Sequence, residues 1–116
     1  MVIVYGLKNC DSCRAARAYL NERDFVHAFH DLREDGLDPA TLDKWVAELG
    51  WEPLLNKKST TWRGLSDEDK AGVDAAKARA LMLANPTLVK RPVIDTGRLT
   101  TVGFDREVRA QLQSVL

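Results

Sequence analysis

Residues 2–13 read VIVYGLKNCDSC and combine an apolar run with two cysteines that are separated by two residues. Residues 2–5 are apolar without a break, which is typical of a central strand that is covered on both faces. Apolar residues then recur at helical spacing and predict a helix over residues 11–22. The Cys10-x-x-Cys13 motif is therefore expected between the end of a strand and the start of a helix.

The flanking segments extend this unit at both ends of the chain. Residues 25–32 are aromatic and branched, which predicts a second strand. A β-α-β unit of this kind should have parallel strands and a right-handed crossover. Residues 93–94 and 99–102 predict two short strands of an antiparallel hairpin, and apolar spacing over residues 108–115 predicts a terminal helix.

The middle of the chain has helical signals. Asp38 is suited to an N-cap and Pro39 to a first helical position, while Gly50 is suited to the end of that helix. Residues 66–84 begin with the capping signature Ser-Asp-Glu-Asp and predict a helical region that is broken near Gly72. These elements predict a helical insertion between the two ends of the chain.

The order β-α-β, helical insertion, β-β-α indicates an α/β protein with a thioredoxin-like fold and a mixed four-stranded sheet. The fold core is expected at about residues 1–35 and 86–116, and the insertion at about residues 37–85. A chain of 116 residues is long enough to bury a core and short enough for one domain.

The charge balance and the apolar runs bound the function. The chain has 17 Lys plus Arg and 17 Asp plus Glu residues. Its net charge therefore gives no reason to expect electrostatic binding of nucleic acid or anionic lipid by the whole surface. No apolar run approaches the roughly 20 residues of a membrane span. The first six residues also lack the basic start of a signal peptide. We expect a cytoplasmic monomer that binds neither nucleic acid directly nor a membrane.

The two cysteines are the strongest chemical signal. A helix N-terminus stabilises a thiolate, so Cys10 is the expected nucleophile and Cys13, about one turn further on, the resolving thiol. One alternative is that both are small core residues. Another is a zinc site with His27 and His30, but a three-residue offset on a strand points these histidines to opposite faces.

Two further segments carry candidate binding residues. Arg91 precedes Pro92, and proline can support a cis peptide bond. In a thioredoxin-like fold this loop lies beside the cysteines. Arg91 would there hold an anion or stabilise the thiolate. The alternative interpretation of Arg91 is a surface arginine before a loop proline. Residues 56–63, NKKSTTWR, are basic and polar; they suit the carboxylates of glutathione or an anionic peptide, or a solvated loop with Trp62 packed inward.

An ordered set of short motifs runs along nearly the whole chain. They are Tyr5-Gly6-x-x-Asn9-Cys10, Arg14-x-x-Arg17, Gly36-Leu37, Glu48-Leu49-Gly50-Trp51-Glu52, Leu54-Leu55-Asn56, Thr60-Thr61-Trp62-Arg63 and Lys90-Arg91-Pro92. Together they resemble the ArsC/Spx/YffB family, the glutaredoxin-linked arsenate reductases and their relatives, with spacing especially close to the YffB-type proteins. The resemblance implies a thioredoxin fold with a helical insertion, Cys10 as the reactive cysteine, and Arg91-Pro92 beside it.

The chain departs from this family pattern at informative positions. The resemblance implies three arginines around the cysteine of an arsenate reductase, and here only Arg91 occupies a matching place. Asn56 stands where a second arginine would be, and residues 101–104 contain no third. Loss of two charge-assisted contacts disfavours arsenate reduction. Spx-type regulators carry the CxxC motif as a redox switch, whereas many YffB-like members lack the second cysteine.

The sequence therefore predicts a thiol-disulfide oxidoreductase that uses glutathione as a cosubstrate and needs no metal or organic cofactor. Its substrate would be a protein disulfide or a glutathione mixed disulfide. The predicted catalytic residues are Cys10, Cys13 and Arg91, and the predicted substrate-binding residues are Lys8, Asn9, Asn56, Arg63 and Pro92. The alternative is a Spx-like regulator that binds the alpha subunit of RNA polymerase and changes its binding face when Cys10 and Cys13 are oxidised.

Overall fold

The chain folds into four strands, six α-helices and one short 3₁₀ helix, as a computed structural model of residues 1–116 describes them. In chain order they are β1 Val2–Gly6, α1 Asp11–Glu22, β2 His27–Asp31, α2 Pro39–Leu49, α3 Thr60–Arg63, α4 Asp67–Lys70, α5 Ala75–Ala84, the 3₁₀ helix Pro86–Leu88, β3 Val93–Asp95, β4 Thr100–Val102 and α6 Arg106–Val115. None of these helices combines the length and the apolar composition that a membrane crossing requires.

The strands form one mixed sheet in the order β2-β1-β3-β4. β1 pairs in parallel with β2, with Val2 opposite His27, and in antiparallel fashion with β3, with Val4 opposite Ile94. β3 and β4 form the antiparallel hairpin. The predicted fold class and the mixed four-stranded sheet are confirmed, and β1 is the central strand that its apolar run indicates.

The contacts divide the chain into two compact units. The first unit consists of residues 1–35 and 91–116, and the second of residues 36–90. The first unit contains the whole sheet with α1 and α6, while the second contains the inserted helices. The Lys90 N–H donates to the Leu54 carbonyl oxygen at 2.7 Å within the second unit. That the chain is one domain stays a prediction.

The core of the first unit fixes α1 against the sheet. Its buried members are Val2, Val4, Ala16, Tyr19, Leu20, Ile94, Val108 and Leu112. Leu20 from α1 is 0% exposed, as are Ile94 from β3 and Leu112 from α6. Full burial of such a side chain contributes about 1.5–3 kcal/mol, so these contacts position the helix that starts at the cysteine motif.

The second unit has the helix ends that the sequence indicates. The Asp38 carboxylate accepts a hydrogen bond from the Thr41 N–H, Pro39 occupies the first turn of α2, and Gly50 ends the helix at a φ of 84°. The predicted helical region over residues 66–84 is broken as expected: α4 and α5 are separate helices, each with its own side-chain N-cap.

The short helix α3 was not predicted. The Ser59 hydroxyl accepts from the Trp62 N–H at 3.1 Å and caps it, and the Asn56 carbonyl oxygen accepts from the same hydroxyl at 2.8 Å. A helix of four residues is too short to show a hydrophobic period, so periodicity could not predict it. The available signal was Ser59, because serine is a preferred N-cap residue. Residues 60–63 are therefore a capped turn and not an irregular loop.

Candidate functional site

Cys10 occupies the N-cap of α1. Its backbone is extended, with a φ of −137° and a ψ of 120°, and its carbonyl oxygen accepts from the Arg14 N–H at 2.9 Å. The Cys10 side chain is half-buried, whereas Cys13 is only 1% exposed. Both cysteines are free thiols. The first cysteine is thus reachable from solvent and the second lies beneath it, one turn into the helix.

Hydrogen bonds to the Cys10 sulfur stabilise its thiolate. Partial burial disfavours ionisation, but the Cys13 thiol and the Cys13 backbone N–H both donate to the sulfur, and Arg91 adds a hydrogen bond and a positive charge. These contributions outweigh burial and lower the pKa of Cys10 from its ordinary value of 9.0. Cys10 is therefore the more acidic thiol of the pair, and its role as nucleophile stays a prediction.

Cys13 has the opposite environment. Burial, followed by the hydrogen bond to Cys10 and the charge of the Cys10 thiolate, raises the pKa of Cys13 to about 12, although the Leu7 N–H and Arg91 oppose the change. A buried and protonated thiol is a poor nucleophile toward external reagents. It is instead placed to donate its proton toward Cys10.

The end of β1 lies directly against Cys13. A β-carbon built at Gly6 would overlap the Cys13 sulfur and would lie 3.3 Å from the Cys13 β-carbon. Only glycine leaves room for this close approach of strand and helix. Gly6 is part of the sequence motif Tyr5-Gly6, but the motif gives no reason for a glycine at this position. The contact with Cys13 supplies that reason.

Arg91 and Pro92 complete the group around Cys10. The Arg91–Pro92 peptide bond is cis, and the Pro92 carbonyl oxygen accepts from the Gly103 N–H at 2.8 Å. Gly103 has a φ of 82°, which favours glycine at this position. The structure thus brings Arg91 to Cys10 and Cys13, the three residues that were predicted as catalytic.

Lys8 is engaged away from the cysteines. Its ammonium group lies 2.7 Å from the Glu34 carboxylate, and both side chains are exposed. The hydrogen bond with Glu34 and its charge raise the pKa of Lys8. Arg91, and not Lys8, is therefore the cation that lowers the Cys10 pKa. Asn9 is exposed and, with Lys8 and Glu34, lines a depression of about 170 Å³.

Asp31 positions the segment before Cys10, and sequence reasoning missed it. Asp31 is 5% exposed, and its carboxylate accepts from the N–H groups of Lys8, Arg33 and Glu34 at 3.3, 2.8 and 3.0 Å. The bond from Glu34, with those from Arg33 and Lys8, outweighs burial and lowers the pKa of Asp31. An aspartate at the end of a strand was the available signal.

The remaining predicted binding residues, Asn56 and Arg63, belong to the second unit. The Asn56 side-chain oxygen accepts from the Lys58 N–H at 3.0 Å, and the Arg63 guanidinium donates to the Lys58 carbonyl oxygen at 3.1 Å. Asn56 also lines a depression of about 420 Å³ together with Trp51, Lys57, Lys58 and Lys90, among others. The substrate-binding roles stay predictions.

The two histidines lie on β2. The His30 ring is 5.0 Å from the Tyr5 ring, and His27 Nδ1 is 3.1 Å from the Phe25 carbonyl oxygen. No three side chains among histidine, cysteine, aspartate and glutamate are grouped so that they could hold a metal ion. The zinc alternative therefore has no ligand set in this structure.

Comparison with known proteins places the chain in a family. The profile of the ArsC family matches residues 5–112. An uncharacterized protein of Haemophilus influenzae is 40% identical over 107 residues, which are 92% of this chain and 94% of that protein. The global transcriptional regulator Spx of Streptococcus mutans is 32% identical, with 97% and 83% covered.

A solved structure, named YffB, superposes with a TM-score of 0.90 at 42% identity and covers 96% of this chain and 97% of that one. Together with the two cysteines at the start of α1, these relatives support a thiol redox function. The chain belongs to the ArsC family and is similar to its YffB and Spx branches.

Proposed function

We propose that this protein is a glutathione-linked thiol-disulfide oxidoreductase. The observation that carries the proposal is the contrast between the two thiols: Cys10 is half-buried with a lowered pKa, and Cys13 is buried with a raised one. One accessible thiolate beside one protected thiol is an arrangement suited to disulfide exchange, in which the first attacks a disulfide and the second resolves the intermediate.

The first step is attack of the Cys10 thiolate on one sulfur of a substrate disulfide. The substrate S–S bond breaks, a mixed disulfide forms between Cys10 and one half of the substrate, and the other half leaves as a thiolate. Arg91 stabilises the Cys10 thiolate before attack, and its positive charge would also attract a negatively charged group of the substrate.

The second step releases the bound half of the substrate. Once Cys10 is in a mixed disulfide, its negative charge is gone, and the two contributions from Cys10 that raise the Cys13 pKa disappear. Cys13 can then lose its proton and attack Cys10, which forms the Cys10–Cys13 disulfide. The protein has lost two electrons and the substrate has gained them. Two glutathione molecules return the protein to the dithiol and leave as glutathione disulfide.

Glutathione can also resolve the intermediate directly. Burial, the largest contribution to the Cys13 pKa, persists in the mixed disulfide and slows the internal route. A glutathione thiolate that attacks the mixed disulfide would regenerate the Cys10 thiolate without Cys13. The two routes predict different behaviour of a Cys13→Ser variant.

The test is NADPH consumption coupled through glutathione reductase, with a small glutathione mixed disulfide as substrate. We expect turnover by the wild type and none by Cys10→Ser. Activity that survives in Cys13→Ser assigns resolution to glutathione, and its loss assigns resolution to Cys13. A folded wild type without turnover above the uncatalysed rate contradicts the proposal.

A second candidate is a redox-switched regulator that binds the alpha subunit of RNA polymerase. The 32% identity to a Spx regulator over nearly the whole chain favours it. The family resemblance, which attributes a CxxC redox switch to Spx-type regulators, points the same way. A pull-down of the alpha subunit with oxidised and with reduced protein tests it. Equal absence of binding in both states contradicts this candidate.

Arsenate reduction is not part of the proposal, because Arg91 is the only one of the three arginines that the family resemblance implies. If arsenate bound at Cys10, it would protect that cysteine from alkylation. We expect no protection at millimolar arsenate.

A further inference from the structure

Three arginines line one surface depression at the far end of α1. Arg23, Arg106 and Arg109 surround a volume of about 440 Å³, together with Tyr19, Glu22, Ala110 and Gln113. All of these residues belong to the first unit. Arg23 follows the last residue of α1, so it lies about 20 Å along the helix axis from Cys10. The depression is thus separate from the cysteine site.

The three guanidinium groups have no carboxylate partner. The ion pairs Lys8–Glu34, Arg14–Asp11 and Arg79–Asp43 do not involve the three arginines. Glu22 is the one acidic residue on the lining, which leaves an excess of two positive charges. An uncompensated group of arginines is suited to binding phosphate or carboxylate oxygens in a bidentate manner.

Two aromatic rings hold the arginines in place. The Arg23 guanidinium lies 3.7 Å from the centre of the Tyr19 ring, and that of Arg109 lies 5.7 Å from the centre of the Phe104 ring. The two rings contact each other edge to face at 5.6 Å. These cation–π contacts restrain two of the three guanidinium groups before any ligand arrives, which lowers the entropy that binding costs.

The start of α6 adds a second reason to expect an anion. Arg106 is the first residue of α6, where a positive charge opposes the helix dipole, and Arg109 follows at the i+3 position, where like charges repel. Asp105 caps the helix and its carboxylate accepts from the Val108 N–H at 2.9 Å. A bound anion between the two arginines would relieve both unfavourable interactions.

Tyr19 supplies an independent observation. It lines the depression, is 8% exposed, and its hydroxyl group has no hydrogen-bond partner. Buried hydroxyl groups are normally paired, so this hydroxyl is an unused hydrogen-bonding group of a residue that lines the depression.

We propose that this depression, which we call the Arg23–Arg106–Arg109 site, binds a small ligand that carries at least two phosphoryl groups. The volume lies within the range of small-ligand pockets. Three guanidinium groups, two of them restrained by aromatic rings, match several phosphoryl oxygens better than a single carboxylate. The balanced net charge of the whole chain argues against an extended polyanion such as nucleic acid.

The test measures binding of inorganic triphosphate by calorimetry at low ionic strength, with ¹⁵N-labelled protein for the location. We expect shifts of the amide signals of residues 21–23 and 106–113. The double variant Arg23→Gln/Arg109→Gln should weaken binding by about tenfold or more, because each loses charge-assisted hydrogen bonds. Arg98→Gln is the matched control, since Arg98 is exposed in the same unit but lies outside the depression, and it should bind within about twofold of the wild type.

Several outcomes overturn the proposal. These are no triphosphate binding at millimolar concentration, equal affinity of the double variant and the wild type, or signal shifts that lie outside the depression. A duplex oligonucleotide that binds in an arginine-dependent way while triphosphate does not would assign the patch to nucleic acid instead. If the double variant does not fold, Arg106→Gln alone provides the same comparison. The assay reads binding and not turnover, so its result is independent of the coupled redox assay.

Discussion

Gly6 and Cys13 are in such close contact that a β-carbon at residue 6 would overlap the Cys13 sulfur. The end of the central strand thereby sets the position of the second cysteine. The buried thiol in turn donates to Cys10, so the backbone of β1 contributes to the reactivity of the first cysteine through the second.

The Gly6→Ala variant should therefore perturb both stability and redox chemistry. We expect the free energy of unfolding to fall by about 1–3 kcal/mol, the usual cost of overpacking, and the pKa of Cys10 to rise as Cys13 is displaced. Urea denaturation and the pH dependence of alkylation measure the two effects. Gly64→Ala is the control, because its β-carbon would meet no atom closer than 3.5 Å. A Gly6→Ala protein as stable as Gly64→Ala would show that the contact relaxes without cost.

Removal of Arg91 should make Cys10 less acidic. Arg91 lowers the Cys10 pKa by a hydrogen bond and by its charge, so Arg91→Gln should move the midpoint of the alkylation profile to higher pH. The rate of iodoacetamide reaction between pH 5 and 10 measures the midpoint, since only the thiolate reacts. Arg98→Gln should leave it in place. A midpoint that Arg91→Gln does not move would contradict the role of Arg91.

The two cysteines should differ sharply in accessibility. Cys13 is 1% exposed and its pKa is raised to about 12, so native reduced protein should incorporate a single equivalent of alkylating reagent at pH 8, on Cys10. Cys13 should react only after denaturation. Mass spectrometry of the intact protein and of its peptides gives the answer. Equal modification of both cysteines under native conditions would mean that the resolving thiol is not protected.

Loss of the Asp31 carboxylate should destabilise the protein in a pH-dependent way. Asp31→Ala leaves the N–H groups of Lys8, Arg33 and Glu34 without their acceptor, which should cost about 1–3 kcal/mol at neutral pH. The pKa of Asp31 is lower in the folded than in the unfolded protein. The stability that its carboxylate contributes is therefore fully present above the unfolded pKa and is lost as the pH falls through the folded pKa.

The difference in the free energy of unfolding between wild type and Asp31→Ala should thus shrink as the pH is lowered through 4 toward 2. Chemical denaturation at a series of pH values measures it. Glu107→Ala, at an exposed carboxylate in the same unit, should change stability by less than about 0.5 kcal/mol. A difference that is independent of pH would exclude the charge of Asp31 as its source.

Thr101 carries a hydroxyl group that serves no hydrogen bond. It lies on β4, is 2% exposed, and its Oγ1 has no partner. Thr101→Val replaces the unpaired oxygen by a methyl group of similar size and should raise the free energy of unfolding by about 1 kcal/mol. Thr101→Ala, which also leaves a cavity, should lower it. Thermal and urea denaturation of the two variants distinguish these effects, and a Val variant less stable than wild type would indicate a partner for the hydroxyl.

The local structure around the cysteines followed from the sequence. The apolar run of β1, the helical spacing after Cys13 and the turn before Leu99 depend on neighbouring residues, whose effects on the backbone are local. For the same reason Asp38, Ser66 and Gly50 marked helix ends correctly. The helix α3 was not predicted because it shows no periodic pattern, and its one sequence signal is the Ser59 hydroxyl that caps it.

The electrostatics of the site could not be obtained in this way. Lys8 is two residues from Cys10 in sequence, yet its charge is taken up by Glu34, 26 residues away. Arg91 is far along the chain and acts directly on the Cys10 sulfur. The pKa of a thiol depends on distances and burial, and neither is a property of a short segment of sequence.

Hydrophobic spacing, caps and one local motif were enough to predict the order of the elements, the thioredoxin-like topology and a reactive pair of cysteines, and the last of these stays a prediction. Three features appear only in the tertiary structure: the contacts that lower the Cys10 pKa, the reason for a glycine at residue 6, and the grouping of Arg23 with Arg106 and Arg109. Those relationships join residues that are distant in the chain, and they arise only when burial of a shared core brings α1, α6 and the sheet together.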